Sequence, residues 1–416
     1  MELLRFITAG SVDDGKSTLI GRLFLDSKAI FTDQMEALQQ ASERIGADEI
    51  NLALFTDGLK AERDQGITID VAYRYFSTPK RKFIIADTPG HIEYTRNMVT
   101  GASTCEAAVI LVDARKGILE QTKRHTFILS VLQIKKIILA VNKMDLVGYS
   151  EEAFKKIADE YRELAGGIGL DEVSSIPISA KDGDNVVTKS ANMRWYRGKT
   201  LLSSLEGMKI DYPGEHRPMR YDVQYVLRPH NDKFHDYRGF AGRAVSGVLK
   251  VGQKVTILPS FTTTSIKSIN LGTRQLEQAR TLECAALCLA DDLDVSRGSM
   301  IVDSRHIPHC DRNLDLILCV LTNKGLQLNT PYDVRHLSAE LQGMIMSVEK
   351  KIDVNTMQAV PGDGELRAND LAYVRLMLSD DLYYDYYVDN RVTGSMILID
   401  RNTHETVAVG LVTKTG

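Results

Sequence analysis

Nine residues near the amino terminus, Gly10-Ser11-Val12-Asp13-Asp14-Gly15-Lys16-Ser17-Thr18, set two glycines around four other residues and follow them with Lys-Ser. That pattern suits phosphate. Successive backbone N–H groups form an anion nest, the positive end of a following helix adds to it, and a lysine brings a point charge to the outer phosphates. Lys16 fills the last role and Ser17 offers a hydroxyl to Mg²⁺, so all nine residues are candidate phosphate or metal contacts. Such a nest needs a strand before it and a helix after it. Leu3, Leu4, Phe6, Ile7 and Ala9 supply the apolar run, and helical spacing opens at Lys16.

Further chemistry-bearing groups recur after later apolar runs. Asp87-Thr88-Pro89-Gly90-His91 follows Phe83 to Ala86. An acid at the end of a buried strand can hold the Mg²⁺ shell, which is the role read for Asp87; Gly90 can turn its N–H to a terminal phosphate, and His91 is placed to orient an attacking water. Upstream, Gly66-Ile67-Thr68-Ile69-Asp70 passes from polar to β-prone, and Thr68 supplies a second hydroxyl to Mg²⁺ if the segment folds over a γ-phosphate. Asn142-Lys143-Met144-Asp145 after Ile137 to Val141, with Ser179-Ala180-Lys181 after Ser175 to Ile178, would choose the base. Asp145 can accept from guanine N1–H and from its exocyclic amine, a donor pair that adenine lacks. An unpaired buried acceptor makes such discrimination large, on the order of 10⁴. Asn142 would tie its loop to the phosphate loop, Lys143 would lie over the base, and Ala180 would give an N–H to the guanine oxygen. GTP is therefore expected over ATP.

The elements that must position these groups alternate. Strands are expected over Leu3 to Ala9, Phe83 to Ala86, Ala107 to Val112, Ile137 to Val141 and Ser175 to Ile178, with helices starting near Lys16, Glu93, Gln121, Glu151 and Thr200. Alternation of this kind predicts a parallel-rich sheet flanked by helices, with ligands outside the carboxyl ends of the strands. After Asp211 the pattern changes to short β-prone runs between turn signals, such as Leu249 to Ser260, which predicts antiparallel barrels. Breaks are expected at Asp211 to Pro218 and near Pro308 to Arg312. The fold class is thus an α/β phosphate-loop GTPase domain over 1–210, followed by two antiparallel β-barrel domains over 211–310 and 311–416.

Composition narrows the partners. A net charge of −4 over 416 residues gives no general attraction to DNA, RNA or an anionic membrane. No signal-peptide core or membrane-length apolar run is found, and the five cysteines form no Cys-x-x-Cys pair, so a cytoplasmic protein with reduced thiols is expected.

Taken in order, Gly-x4-Gly-Lys-Ser, Gly-Ile-Thr-Ile, Asp-Thr-Pro-Gly-His, Asn-Lys-Met-Asp and Ser-Ala-Lys resemble the translation-factor class of GTPases, of which elongation factor Tu is the familiar member. With Asp14 where elongation factors usually have His, the phosphate loop is more similar to that of the large GTPase subunits of bacterial sulfate adenylyltransferase, the CysN family. Thr56-Asp57-Gly58-Leu59, Asn97 to Thr104, Asp113 to Gly117, Gly183 to Val187 and Trp195-Tyr196 carry the same resemblance, as do Arg238 to Gly242, Ser296-Arg297-Gly298 and Asn390-Arg391-x-Thr393-Gly394 beyond the first domain. It covers essentially the whole chain.

The resemblance implies GTP and GDP as ligands with Mg²⁺. It implies as partner the smaller catalytic, CysD-like subunit of sulfate adenylyltransferase, in a heterodimer or higher assembly. That subunit makes adenylyl sulfate and pyrophosphate from ATP and sulfate, driven by GTP turnover here. No nucleotidyl-transfer His motif occurs in this chain, which places adenylyl transfer on the partner. A fused adenylyl sulfate kinase, carried by some relatives, would need a second phosphate loop, and none follows. The alternative is an elongation-factor-like GTPase that binds and delivers an RNA.

Overall fold

The computed structural model describes residues 2–27, 71–88, 95–210, 216–228, 237–353, 356 and 358–414. The chain divides into two compact units, Met1–Ile210 and Asp211–Asp353 with Gln358–Gly416. Among the described residues no helix is long and apolar enough to cross a membrane.

In the first unit, β1 (Leu3–Gly10), β2 (Ala72–Ser77), β3 (Lys82–Asp87), β4 (Ala107–Asp113), β5 (Lys136–Asn142) and β6 (Val173–Pro177) form one sheet in the order β2-β3-β1-β4-β5-β6. Only β2 runs antiparallel; β3, β1, β4, β5 and β6 are parallel neighbours. Parallel strands are covered on both faces and so read as continuous apolar runs. Every residue of β4 is buried, as that rule requires. Helices α1 (Lys16–Asp26), α2 (Thr95–Ala102), α3 (Glu120–Val131) and α4 (Glu151–Gly166) lie between successive strands, and α5 (Leu201–Gly207) follows the last of them.

Leu19, Ile20, Leu23 and Phe24 of α1 pack with Phe6, Phe83, Leu111 and Leu205 in one core cluster, and Phe76 stacks on Phe83 at 4.6 Å between ring centroids. A fully buried side chain of this size contributes about 2 kcal/mol. The core thereby fixes the helix whose first turn carries Lys16 and Ser17.

Register lines up the strand ends. Thr8 pairs with Asp87, Gly10 with Leu111 and Asp113 with Asn142, so the carboxyl ends of β1, β3, β4 and β5 open on one edge.

The second unit holds two barrels. Arg220–Leu227, Gly239–Ser246, Cys284–Leu289, Thr262–Leu271, Lys254–Leu258 and Met300–Asp303 close into a six-strand antiparallel ring. Pro331–His336, Ser395–Ile399, Thr406–Val412, His309–Val320, Leu371–Tyr384 and Ala339–Asp353 close into another. The break expected near Pro308 to Arg312 is instead the start of the strand His309–Val320. Its first five residues are exposed, which gives a strand the polar look of a loop.

Buried ionic contacts join the two rings. Arg220, at the head of its strand, donates to both oxygens of Asp385 at 2.9 and 3.1 Å and to His306 O at 2.7 Å. Asp385 also accepts from Thr393 Oγ1 at 2.7 Å, and Asn390 Nδ2 donates to Ser246 Oγ at 3.2 Å. Asp222 likewise takes the Ser338 hydroxyl at 2.7 Å. The Asn390-Arg391-x-Thr393-Gly394 run is thus part of a junction between barrels. The Arg220 side chain is 3% exposed, and removing one partner of such a pair leaves an uncompensated charge. Arg220→Met is expected to lower the stability of this unit by about 3 kcal/mol, read as a lower urea midpoint. Arg220→Lys should recover little of it, because one ammonium cannot replace a two-pronged guanidinium.

Candidate nucleotide-binding site

The phosphate loop leaves the end of β1 and enters α1 with no side-chain cap, Gly15 occupying the cap position. Ser150 and Thr200, by contrast, cap α4 and α5 by accepting from Ala153 N and Ser203 N. The first-turn N–H groups of α1 are the ones a phosphate would take. Gly15 has φ 93, and a Cβ there would lie 2.4 Å from Asn142 Nδ2, so both conformation and space demand glycine.

Lys16 is buried, and its Nζ donates to Gly10 O and Ser11 O, each at 2.9 Å. Burial pushes its ammonium pKa down, against the pull of Asp87, Asp14 and Asp13. Ser17 sits half-buried one residue on in α1. Asp87 ends β3, is 1% exposed, and accepts from Thr8 Oγ1 at 3.3 Å, while Thr88 Oγ1 donates to Thr8 O at 2.9 Å. Hydroxyl and carboxylate oxygens are hard donors of the kind Mg²⁺ takes, and Ser17 and Asp87 fit that group. Thr68, Gly90 and His91 lie outside the described residues.

At the base end, Asn142 holds two loops at once. Its Nδ2 donates to Asp14 O at 2.7 Å, and its Oδ1 accepts the Ala180 N–H at 2.9 Å. The N–H expected from the sequence to face the guanine oxygen is donated to this carboxamide. Lys143, at φ 62, reaches back from the base loop to Asp13 O and lies 3.1 Å from Asp113 Oδ2. Asp145 is half-buried on the single turn Met144–Val147. Ser179 is buried and donates to Asp182 Oδ2 at 2.9 Å, which closes the loop around Ala180; Lys181 is exposed.

Several positioning groups escape sequence reasoning. Arg22 on α1 donates to Ala180 O at 3.2 Å and to Lys181 O, clamping the second base loop from the phosphate side. Asp113 is fully buried; burial opposes its charge, but hydrogen bonds from Arg115 and Lys143 outweigh that and hold the carboxyl well below the usual carboxylate range. Trp195 Nε1 donates to Tyr149 O at 3.0 Å just after the first base loop, within an aromatic group with Phe154 and Tyr196. An acid at the end of β4 was a usable signal for Asp113; nothing in the sequence marks Arg22.

A phosphate loop at the edge where parallel strands end, joined sideways to an Asn-Lys-x-Asp loop, defines a GTPase. A family model described as the elongation factor Tu GTP binding domain matches residues 1–219, and one described as GTP-eEF1A C-terminal domain-like matches 313–413. The chain is 48% identical over 412 residues to "Sulfate adenylyltransferase subunit 1" of Aeromonas hydrophila, covering 99% of this chain and 86% of that protein. It is 49% identical over 411 residues to the "Bifunctional enzyme CysN/CysC" of Mycobacterium tuberculosis, covering 99% and 67%. Among solved structures, the GTPase-like domain of S. cerevisiae Ski7 aligns with a TM-score of 0.53 at 19% identity, over 100% of this chain and 98% of that one, a likeness of fold. The class is the translation-factor type of GTPase, binding GTP and GDP. Within it, the chain belongs to the family of sulfate adenylyltransferase subunit 1, the GTPase subunit of that enzyme.

Because Asn142 satisfies a buried carbonyl and a buried N–H in different loops, its loss strands both. Asn142→Ala should weaken binding of a fluorescent GDP analogue on the order of tenfold to a hundredfold in a titration.

Proposed function

We propose that this chain hydrolyses GTP to drive adenylyl sulfate formation from ATP and sulfate by a smaller catalytic, CysD-like subunit bound to it. The observation that carries the reading is the identity of nearly half the residues, over 99% of the chain, with proteins named sulfate adenylyltransferase subunit 1. Its chemistry is phosphoryl transfer to water by positioning and charge stabilisation.

Lys16 and the loop N–H groups of 13–18 hold the β and γ phosphates. Ser17, Asp87 and Thr68 would hold Mg²⁺, which when bound neutralises charge developing on the phosphate oxygens. Gly90 directs its N–H to the γ-phosphate, and His91 orients the nucleophilic water. Asp145 takes the two guanine donors, and the Asn142 tie to Asp14 and Ala180 supports a base loop set at fixed distance from the phosphates. Asp113 and Asp13 O hold the Lys143 ammonium, which supports a lysine laid along the base.

The test of the whole reading is pyrophosphate release from ATP plus sulfate by the chain copurified with its small subunit. A rise on adding GTP that vanishes in Lys16→Ala is expected; no rise, with an active small subunit present, sinks it, and salt-sensitive RNA binding in the GTP state would then point to a carrier. His91→Ala should keep GTP affinity and lose at least about a hundredfold in hydrolysis, measured by single-turnover phosphate release. Asp145→Asn should move preference towards xanthosine nucleotides in competition binding, since an amide donates to the carbonyl that replaces the guanine amine.

A further inference from the structure

The phosphate loop carries an acid on its inner side. The Asp14 side chain is buried, 1% exposed, and its Oδ2 accepts the Ser11 N–H at 2.7 Å. Oδ1 has no hydrogen-bond partner among the described residues, nor has the neighbouring buried Ser11 Oγ. Gly10 leaves room for the carboxyl, since a Cβ there would come within 3.3 Å of Oδ2 and 2.8 Å of Leu111 O. A buried, half-satisfied carboxylate directly behind a nest built to hold anions is opposed to the ligand in front of it. Unpaired buried charge of this kind does not serve stability.

We propose that Asp14 is a positioning residue whose charge loosens the nucleotide diphosphate held by the loop, setting how fast GDP leaves. The proposal rests on the reading of Gly10 to Thr18 as the phosphate site. Its physical basis is the short range and low dielectric: a charge a few ångströms behind the loop acts on phosphates in front of it with little screening. Product release limits turnover in many nucleotide-cleaving enzymes, and a nest with a lysine and a helix end would otherwise retain the diphosphate.

The surrounding charges have been balanced around this acid rather than against it. Burial lifts the Asp14 pKa to about 6 against the Ser11 N–H, Lys16 on α1 and Lys116 after β4, which favour the carboxylate; Asp113 at the end of β4 disfavours it. Asp13 and Asp87 act on Lys16 from the loop and from β3. His125 on α3, also close enough to feel Lys16, is kept neutral by burial, with a pKa near 3. At pH 8 the Asp14 carboxyl is therefore charged and opposes phosphate; below about pH 6 it is neutral and does not.

Asp14→Asn keeps an acceptor for the Ser11 N–H and deletes the charge, so it separates electrostatics from loop geometry. GDP affinity and release rate are measured for wild type and variant at pH 8 and pH 5.5; titration of the phosphates of GDP itself is common to both proteins and cancels in the ratio. The expected result is about tenfold tighter binding and slower release for Asp14→Asn at pH 8, with the two proteins converging at pH 5.5. A variant within twofold of wild type at pH 8, a weaker one, or a difference that persists unchanged at pH 5.5 overturns the proposal. Failure of the wild type to bind GDP at all would overturn the reading of the loop instead. Should Asp14→Asn not fold, Asp14→Ser, a shorter neutral acceptor, is held to the same outcomes.

Discussion

The carboxamide of Asn142 is the constraint on which the site's geometry depends. Its donor end satisfies a carbonyl of the phosphate loop and its acceptor end an N–H of the Ser179 to Lys181 loop, at 2.7 and 2.9 Å. No shorter or charged side chain could do both, because one end must give a proton and the other must take one. The same group sets the requirement at Gly15, which it approaches too closely for any Cβ. It sits at the end of β5 in register with Asp113, so the tie is anchored in the sheet rather than in a loop.

Charges around that tie come in opposed pairs at differing depths. Asp113 is locked in its ionised form by Arg115 and Lys143, and Lys143 is thereby drawn across to Asp13 O. Lys16 is held over the loop by two carbonyls and favoured by Asp87. Each of these cations has an oxygen partner within the fold, so a phosphate entering the candidate site would exchange one set of contacts for another. Preorganisation of this sort places the cost of holding the site open in the folding of the sheet.

Much of this was legible in the chain. β1, β3, β4 and β5 are buried parallel strands whose apolar runs stand out, and the phosphate loop, Asp87 and the Asn142 loop lie at the ends of three of them. β2 was not read as a strand, because an edge strand with Tyr75 exposed and a single buried residue lacks that signature. The break expected near Pro308 to Arg312 has a related cause, the outward-facing first half of His309–Val320, which gives the start of that strand the look of a loop. Arg22 could not be found, since the two carbonyls it clamps lie more than 150 residues away and an arginine spaced i,i+4 from Asp26 reads as an ordinary helix-surface pair. Asp113 falls between: its position at a strand end is visible, but its pairing with Lys143 depends on lateral register.

The reach of Arg22 has a consequence for how such a site changes over time. The helix that begins with Lys16 ends its reach on the carbonyls of Ala180 and Lys181, so the candidate phosphate loop is bolted to the candidate base loop. Neither can be exchanged as a cassette. A base loop borrowed from a relative would arrive with carbonyls aimed for another helix, and the phosphate end would feel the misfit first. A change at one end therefore has to be accommodated at the other, because both share the Arg22 guanidinium.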